Sequence, residues 1–511
     1  MKINEKLRMY LMTAKRNRLI HLYPFTALLL GMVLAQMLAS VHVYLSNRDL
    51  YDSMMAIKDA GYLPIPNSLV MGQLHKPGPA FFGGLFFTFS IGAGISFLSL
   101  ALAWIWTRAF HRKPLLLYLF LLLWVGCLTA LNFHGIKLFG TLYFLLIPPV
   151  VFITAVKSMS NLDKQNRRSN EIIHMLPVIV LALFLVWQID SRMFTDFRDI
   201  YLLSNPVGSK INKFYYKYTL YPAEVFKSLN QKMLKTGMTE SKKTAGGRMP
   251  ENIFLNYDYI PIKGNIEADL KVVSAGDDLI FKNQGSPVLQ ISSKAFFNDP
   301  HRAITEFEQK SDTWALFRQF TLFSLLTGFP LAVYVLVHGV ISILFGFFFR
   351  LKTSSLIASA LCFVLCLLFI FSFQLNRSRN ISEQNLADEL NSGRWQNRVA
   401  ALKIIDKNGL EIKQFQAYPQ LLKSSYIAER YWFVRTLANS RNPETYIDLL
   451  SFLNDSQPNV VSMALYALGK RGNKNSIGRI MQVIKTSDDW YHQWYAYKAL
   501  RALGWRQTKL K

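Results

Sequence analysis

Cysteine is scarce in this sequence. The 511 residues include three cysteines, and Cys127, Cys362 and Cys366 all lie within long apolar runs. The polar segments between those runs therefore contain neither a disulfide framework nor a thiolate metal site. Cysteine content therefore does not distinguish an oxidising from a reducing compartment, because a chain without paired cysteines is compatible with both.

The common catalytic signatures are missing as well. The sequence has no GxxxxGK[ST] phosphate loop, no HExxH zinc motif, no GxSxG nucleophile elbow and no paired CxxC. Its nine histidines are scattered. A pair such as His174 with His338 is the alternative that would suit haem, although single histidines near helix ends more often form interfacial hydrogen bonds. We therefore predict no cofactor and no resident metal.

Acidic residues are few relative to basic ones. The chain has 32 Asp and Glu against 58 Lys and Arg, a net charge of +26. Much of the excess lies in short loops beside apolar runs, where it sets membrane orientation, so we predict no nucleic-acid partner. Residues 376–511 hold 21 Lys and Arg against 11 Asp and Glu. This surplus suits anionic lipid, acidic polysaccharide or an acidic protein, or simply a solvated basic surface.

Long apolar runs dominate what is present. Hydrophobic residues make up 51% of the chain and charged residues 18%, which is too apolar for an ordinary soluble protein. Runs of roughly 18 or more apolar residues predict seven membrane spans: 23–46, 81–107, 115–133, 138–157, 174–189, 319–349 and 355–375. No small-x-small cleavage site directly follows the first run, so we interpret it as a retained anchor.

The Lys and Arg residues of the short loops predict an orientation. Basic residues mark four loops of one side: the N-terminal segment 1–22 and the loops around Arg112, Arg167 and Arg350. The positive-inside rule makes this side cytoplasmic. An odd number of spans then puts the C-terminal region on the exported side. We interpret the chain as a multi-pass protein of a bacterial inner membrane, in contact with lipids, with a cytoplasmic N-terminus and a periplasmic or otherwise exported C-terminal region.

Two predicted spans contain helix breakers. Pro148-Pro149 and Gly328-Phe329-Pro330 are expected to kink or interrupt the fourth and sixth spans, since proline lacks the backbone N–H. Broken helices occur at transport sites, which keeps a transporter as an alternative. Almost no charged residue lies deep in a span and no inverted duplication is visible, so a plain kink is favoured.

A polar insert of mixed pattern separates the fifth and sixth spans. The stretch 204–235 is compatible with a helix in which Tyr and Phe alternate with Lys, a pattern typical of the lipid headgroup layer. Gly246, Gly247 and Pro250 indicate a linker. Alternating β-branched residues in 269–293 predict a small sheet. Docking to a partner and covering the membrane bundle are both compatible with this pattern.

The C-terminal region repeats one helical pattern. Leu402, Val434, Leu465 and Leu500 occupy equivalent positions with 31 to 35 residues between neighbours, a period typical of two-helix units that stack. The units resemble HEAT-like repeats, particularly the short units of the phycobilin lyase type, and most clearly in Asn459–Asp489 followed by Trp490–Trp505. The resemblance implies an α-solenoid and a protein-binding habit, without implying a reaction.

One face of the last repeat carries candidate contact residues. Trp490, Trp494, Tyr497 and Arg501 follow at intervals of four, three and four, so they share one face of a helix. Aromatic residues and arginine are enriched at binding hot spots, which makes these four the predicted partner-binding residues. Capping of the terminal repeat, or contact with lipid, is the alternative.

The predicted architecture is an α-helical membrane protein with about seven transmembrane helices, a mixed α/β extramembrane insert and a C-terminal α-solenoid of HEAT-like repeats. Its predicted parts are a basic N-terminus (1–22), a five-helix bundle (23–189), an exported insert (190–315), a two-helix hairpin (316–375) and the repeat domain (376–511).

The function predicted from these features is that of a membrane-anchored scaffold, which uses its repeats to bind a protein partner in an envelope complex. The enzyme alternative is a multi-pass glycosyltransferase-like protein, in which Asp49 or Asp52 in the first exported loop acts as acid or base. Asp49 would otherwise cap a short helix from Arg48 to Ala60.

Overall fold

The chain divides into two compact units. The computed structural model describes residues 22–133, 135–160, 179–180, 182–184, 193–240, 251–263, 267–377 and 381–509. The first unit comprises the described parts of Met1–Val43, Phe81–Asp190 and Trp314–Gln374, and the second those of Tyr44–Ala80, Ser191–Thr313 and Leu375–Lys511. The second unit thus joins three segments that lie far apart in sequence.

The first unit is built from apolar helices. Among the described residues, six helices are long and apolar enough to cross a membrane: Tyr23–Asp59, Pro77–Ala109, Pro114–Leu131, Leu138–Met159, Ala315–Phe345 and Thr353–Asn376. They match six of the seven predicted spans. The remaining predicted span, 174–189, lies largely outside the described residues.

Small residues allow these helices to approach closely. A Cβ atom added to Gly328 would lie 2.5 Å from the Cα atom of Gly94, and one added to Gly92 would lie 2.5 Å from the Cβ atom of Ala35. The hydroxyl of Ser324 donates to the carbonyl of Ser90. Helices in an apolar solvent associate through this kind of close packing and interhelical hydrogen bonding.

The two proline motifs have different consequences. A π-helical turn, Ser324–Gly328, interrupts the sixth predicted span before the helix resumes as Phe329–Phe345. Further π-helical turns lie at Thr88–Gly92 and Ile105–Ala109. By contrast, the helix Leu138–Ser160 continues through Pro148 and Pro149, so the fourth span is not interrupted there, and a kink at the two prolines stays a prediction.

The first helix also corrects the predicted role of Asp49. It runs without a break from Tyr23 to Asp59, because no Gly or Pro between the apolar run and Arg48 would end it. Asp49 therefore lies inside a helix, where its carbonyl accepts a hydrogen bond from Ser53 Oγ at 2.8 Å. The prediction that Asp49 caps a separate short helix is wrong. A short helix, Ser68–Leu74, follows it.

The insert folds into helices around a five-stranded sheet. Its strands are β1 (Lys235–Glu240), β2 (Tyr259–Pro261), β3 (Leu270–Ala275), β4 (Asp278–Asn283) and β5 (Ser286–Ser292). The strand order is β2-β1-β3-β4-β5. β1 is parallel to β2 and β3, whereas β4 is antiparallel to both of its neighbours. Gln284 and Gly285 have φ values of 48° and 74°, which suits the tight hairpin between β4 and β5.

Helices cover this sheet and extend from it. The insert contains the helices Met193–Phe197, Pro206–Tyr218, Leu220–Phe226, Glu251–Leu255, Ser293–Asn298 and Pro300–Lys310, with a π-helical turn at Arg198–Leu202 and a 3-10 turn at Leu229–Gln231. Phe281, Phe296 and Phe307 are fully buried in its core together with Tyr259. The predicted mixed α/β character of the insert is therefore present.

The C-terminal region consists of short helices in a repeated order. The first helices of the four repeats are Trp395–Asn408, Ile427–Leu437, Pro458–Arg471 and Trp490–Ala502. The second helices are Tyr418–Leu422, Glu444–Ser451 and Ile477–Thr486. A short helix, Leu386–Leu390, precedes them, and 3-10 turns lie at Glu383–Asn385, Ile412–Gln414, Phe452–Asn454 and Lys474–Ser476.

Equivalent positions pack the first helices together. Leu402, Val434, Leu465 and Leu500, which define the period in the sequence, are all fully buried. A buried ion pair joins the first two repeats, where Arg398 Nε donates to Glu429 Oε1 at 3.0 Å. Each repeat therefore buries its apolar face against the next one, as the spacing predicts.

Candidate partner-binding surface

The helix that carries the four predicted contact residues is well defined. It begins at Trp490, directly after Asp489, whose side chain accepts hydrogen bonds from the backbone N–H groups of Tyr491 and His492 at 2.8 and 3.2 Å. An aspartate at this position satisfies free donors of the first turn and complements the helix dipole. Ala496 and Leu500 are fully buried against the preceding repeat, which fixes the direction of the opposite face.

Tyr497 and Arg501 contact the chain's own insert. Tyr497 is 1% exposed, and its hydroxyl donates to Asp258 Oδ1 at 2.5 Å. Arg501 Nε lies 3.1 Å from the same carboxylate oxygen, and its Nη2 donates to the carbonyl of Asn256 at 2.7 Å. One carboxylate of the insert is thus bound by two side chains that sequence reasoning assigned to a partner.

The electrostatics of this contact follow from its burial. Burial raises the pKa of the Asp258 carboxyl, and the hydroxyl of Tyr497 and the guanidinium of Arg501 oppose that shift. Burial also raises the pKa of the Tyr497 phenol, and the neighbouring Asp258 adds to the effect, so Tyr497 remains a hydrogen-bond donor. The three groups form a compact charge-assisted junction.

Trp490 and Trp494 differ in their surroundings. Trp490 is 6% exposed, and Lys227 of the insert places its Nζ atom 5.0 Å from the centre of the indole ring. Trp494 is partly exposed, with Lys498 of its own helix 3.6 Å from the ring centre. Among the four residues, Trp494 has the most accessible aromatic ring. Contact of these residues with a separate protein stays a prediction.

A second junction joins the start of the insert to the first two repeats. Asp196 and Asp199 are 3% and 2% exposed. Asp196 pairs with Arg377 at 3.0 Å and with Lys403 at 2.9 Å. Asp199 lies 3.2 Å from the same lysine nitrogen and accepts a hydrogen bond from the indole of Trp432 at 2.8 Å. Both buried carboxylates are therefore paired, as burial of charge requires.

A third junction lies at the middle of the repeats. Asn212 of the insert donates to Asn459 Oδ1 at 2.5 Å, and Asn459 donates in turn to the hydroxyl of Tyr216 at 2.8 Å. The ring of Tyr216 lies 4.4 Å from that of Tyr491. Asn212 and Asn459 are almost fully buried, so these hydrogen bonds satisfy polar groups that have lost water.

The segment 60–67, which follows the first helix, contacts the end of the repeat region through buried amides. The side-chain amide of Asn67 donates to the carbonyl of Ile484 at 2.7 Å, and the backbone N–H of Asn67 donates to Gln493 Oε1 at 2.7 Å. Gln507 accepts from the backbone N–H of Leu63 and donates to its carbonyl, at 3.2 and 2.9 Å. The side chain of Gln507 thus replaces the two hydrogen bonds that a paired backbone strand would supply to Leu63.

Sequence reasoning missed these junction residues because none belongs to a motif. Asp196, Asp258 and Asn67 are single polar residues in short helices and loops, and their partners lie 181 to 426 residues away in the chain. The available signal was limited to polar residues at core-facing positions of the repeats, such as Gln493 and Asn459. A buried amide of this kind requires a partner, although nothing local identifies it.

A cavity of about 1550 Å³ lies elsewhere in the second unit. It is bounded by the last turns of the helix Tyr23–Asp59 and by β1, β2 and β3, and its charged lining includes Asp52, Asp59, Glu240, Lys263 and Lys271. Of the two aspartates considered as catalytic, Asp52 lines this cavity. Asp49, one turn earlier in the same helix, is not among the lining residues.

Comparison with known proteins identifies one region. A family model of HEAT repeats matches residues 416–501, which confirms the prediction of HEAT-like repeats in the C-terminal region. Comparison with curated proteins and with solved structures yields no match.

Proposed function

We propose that this protein is a membrane-anchored scaffold that binds a protein partner in an envelope complex. The observation that carries the proposal is the second unit, in which HEAT-like repeats are held by the insert and by the first loop through buried polar junctions. HEAT-like repeats are protein-interaction modules. Fixing them at four places along their length gives a preorganised surface, which lowers the entropic cost of binding.

The proposed topology has seven spans and an exported second unit. The segments Tyr44–Ala80 and Ser191–Thr313 belong to one unit, so an even number of crossings must separate them if that unit lies on one side of a membrane. Three apolar helices are described between them. An even number of crossings requires a further span, which supports the predicted fifth span at 174–189. The positive-inside rule supports export of the second unit from a bacterial inner membrane.

Within the predicted contact set, we assign different tasks to its members. Tyr497 and Arg501 hold the insert, and Trp490 packs beside Lys227. Trp494 is the member whose ring is available to a partner. Tryptophan is among the residue types that are enriched at binding hot spots.

The test is recovery of a partner from native membranes. The full chain is crosslinked in the membrane and co-purified in three forms: unchanged, Trp494→Ala and Ile447→Ala. Ile447 is 72% exposed on a second helix and serves as the matched control. The proposal expects a specific partner that is lost with Trp494→Ala and retained with Ile447→Ala. Equal recovery by all three forms would contradict the assignment of Trp494.

The glycosyltransferase-like alternative is favoured by one observation, the position of Asp52 on the wall of the cavity. A carboxylate in a cleft is able to act as a general base towards a hydroxyl. The alternative expects Asp52→Asn to abolish cellular function while partner recovery is unchanged. Asp49→Asn is the control, since Asp49 is not among the residues that line the cavity.

A further inference from the structure

The helix Pro206–Tyr218 of the insert has three distinct faces. One face is buried, and its residues Gly208 and Asn212 lie against the rest of the second unit. A second face is apolar and exposed. The exposed fractions of its side chains are 67% for Val207, 55% for Ile211, 41% for Phe214 and 47% for Tyr215. These positions are spaced by four, three and one residues, so they form one stripe along the helix.

The third face carries the charge. Lys210, Lys213 and Lys217 are exposed and lie along one edge of the apolar stripe. The helix contains no Asp or Glu. An apolar stripe bordered by lysines is the pattern of helices that lie in the plane of a membrane surface, with the apolar side chains among the lipid headgroups and upper acyl chains.

The segment that leads to this helix pairs with the residue that directly follows an apolar helix. Asp196, ten residues before Pro206, pairs with Arg377 at 3.0 Å, and Arg377 directly follows the apolar helix Leu351–Asn376. Phe194, beside this junction, is 57% exposed. If Leu351–Asn376 spans a bilayer, Arg377 follows that span directly, so Arg377 and its partner Asp196 lie close to the headgroup level.

We propose that the exposed face of Pro206–Tyr218 binds the surface of an anionic lipid bilayer, with Val207 and Ile211 inserted and the three lysines at the headgroups. This inference rests on the membrane anchoring in the proposed function. Lipid is favoured over a protein occupant because the face combines a uniform positive charge with apolar and aromatic side chains, and because the preceding Asp196 pairs with Arg377, which directly follows a predicted span. An anionic headgroup layer complements both features.

The test measures the depth of one side chain in the full chain. Ile211→Cys is made in a background in which Cys127, Cys362 and Cys366 are replaced by alanine, and it carries an environment-sensitive fluorophore. The protein is reconstituted in nanodiscs that contain either phosphatidylglycerol with phosphatidylcholine or phosphatidylcholine alone. Quenching is measured with a lipid spin-labelled near the headgroup and with aqueous iodide. Ile447→Cys is the solvent-exposed control.

The expected result is at least threefold stronger lipid quenching than iodide quenching at position 211 in the anionic nanodiscs, and the reverse at position 447. The triple variant K210Q/K213Q/K217Q is expected to reduce the dependence on phosphatidylglycerol. Iodide quenching without lipid quenching at position 211 would overturn the proposal. Protection from iodide only in native membranes would also overturn it, and would indicate a protein occupant.

The membrane anchoring is checked separately. Full chain that is recovered in the soluble fraction, without detergent, would contradict the anchoring itself. Stable reconstitution with position 211 exposed to iodide would contradict only the lipid contact of this helix.

Discussion

At the residue scale, the second unit depends on polar side chains that are buried and paired. Asp196, Asp199 and Asn212 of the insert, and Asn67 of the first loop, all have partners in the repeats. Paired buried polar groups fix a unique arrangement, because removing one partner leaves the other without water or a hydrogen bond. The contacts of the repeats with the insert and with the loop around Asn67 are therefore specific.

Tyr497→Phe tests this specificity with a single atom. Loss of the hydroxyl leaves the Asp258 carboxylate without one of its donors, at an expected cost of about 1–2 kcal/mol. Hydrogen exchange should accelerate roughly tenfold in residues 251–263 and 490–502, provided that they exchange through separation of this junction. Tyr466→Phe, at a 38% exposed position of another repeat, is the control and is expected to have no effect. Unchanged exchange in Tyr497→Phe would mean that the junction contributes little to stability.

His492 predicts how stability depends on pH. Burial lowers the pKa of this histidine below its ordinary value of 6.5, against the opposing effect of Asp489. The unfolded chain then binds a proton at a higher pH than the folded chain, so this contribution to stability is complete above about pH 6.5 and is lost as the pH falls. Thermal unfolding of the full chain between pH 7.5 and 5.5 should show a smaller decline for His492→Asn. Parallel curves for the two proteins would contradict the assignment.

At the element scale, close approach of helices fixes the last two repeats. A Cβ atom on Gly469 would lie 2.8 Å from the Cα atom of Ala499, which is closer than packed atoms allow. Gly469 is the glycine of the ALYALGKRG segment, and its helix packs directly on Trp490–Ala502. The glycine is thus explained by packing, since it occurs inside a regular helix.

Gly469→Ala is expected to destabilise the protein by about 1–3 kcal/mol, as overpacking of a tight contact does. Gly478→Ala is the matched control, because nothing lies within 4 Å of its added Cβ atom; in a helix this change is neutral or stabilises by up to about 1 kcal/mol. Chemical unfolding of the full chain in detergent measures the difference. A Gly469→Ala protein as stable as the control would contradict this prediction, because it would show that the two helices accommodate the added methyl group without loss of stability.

The apolar helices and the repeat helices were predictable from their sequence patterns, whereas the contacts between the repeats and the insert were not. Apolar runs predicted seven spans, and six of them are helices among the described residues, because apolar length alone decides them. The burial of Leu402, Leu465 and Leu500 follows from their spacing. The prediction that a separate helix begins at Asp49 was wrong, because no helix-ending residue precedes Asp49 and the first helix continues to Asp59. The contact of Tyr497 with Asp258 joins residues 239 positions apart, and no local pattern encodes such a pairing.

At the scale of the whole molecule, the second unit constrains the path of the chain through a membrane. Its three segments belong to one compact unit, so the proposed topology puts them all on one side of the membrane. Single cysteines at Lys76, Asn298 and Lys509, all exposed, should therefore react with a membrane-impermeant maleimide from the same side. Cysteines at Arg112 and Arg350 should react only after the membrane is permeabilised, because the positive-inside rule puts those loops on the cytoplasmic side. Labelling of positions 76 and 509 from opposite sides would contradict both the even number of crossings between the segments and the export of the repeats. Labelling of positions 76, 298 and 509 together from the cytoplasmic side would agree with one compact unit and would reverse only its proposed orientation.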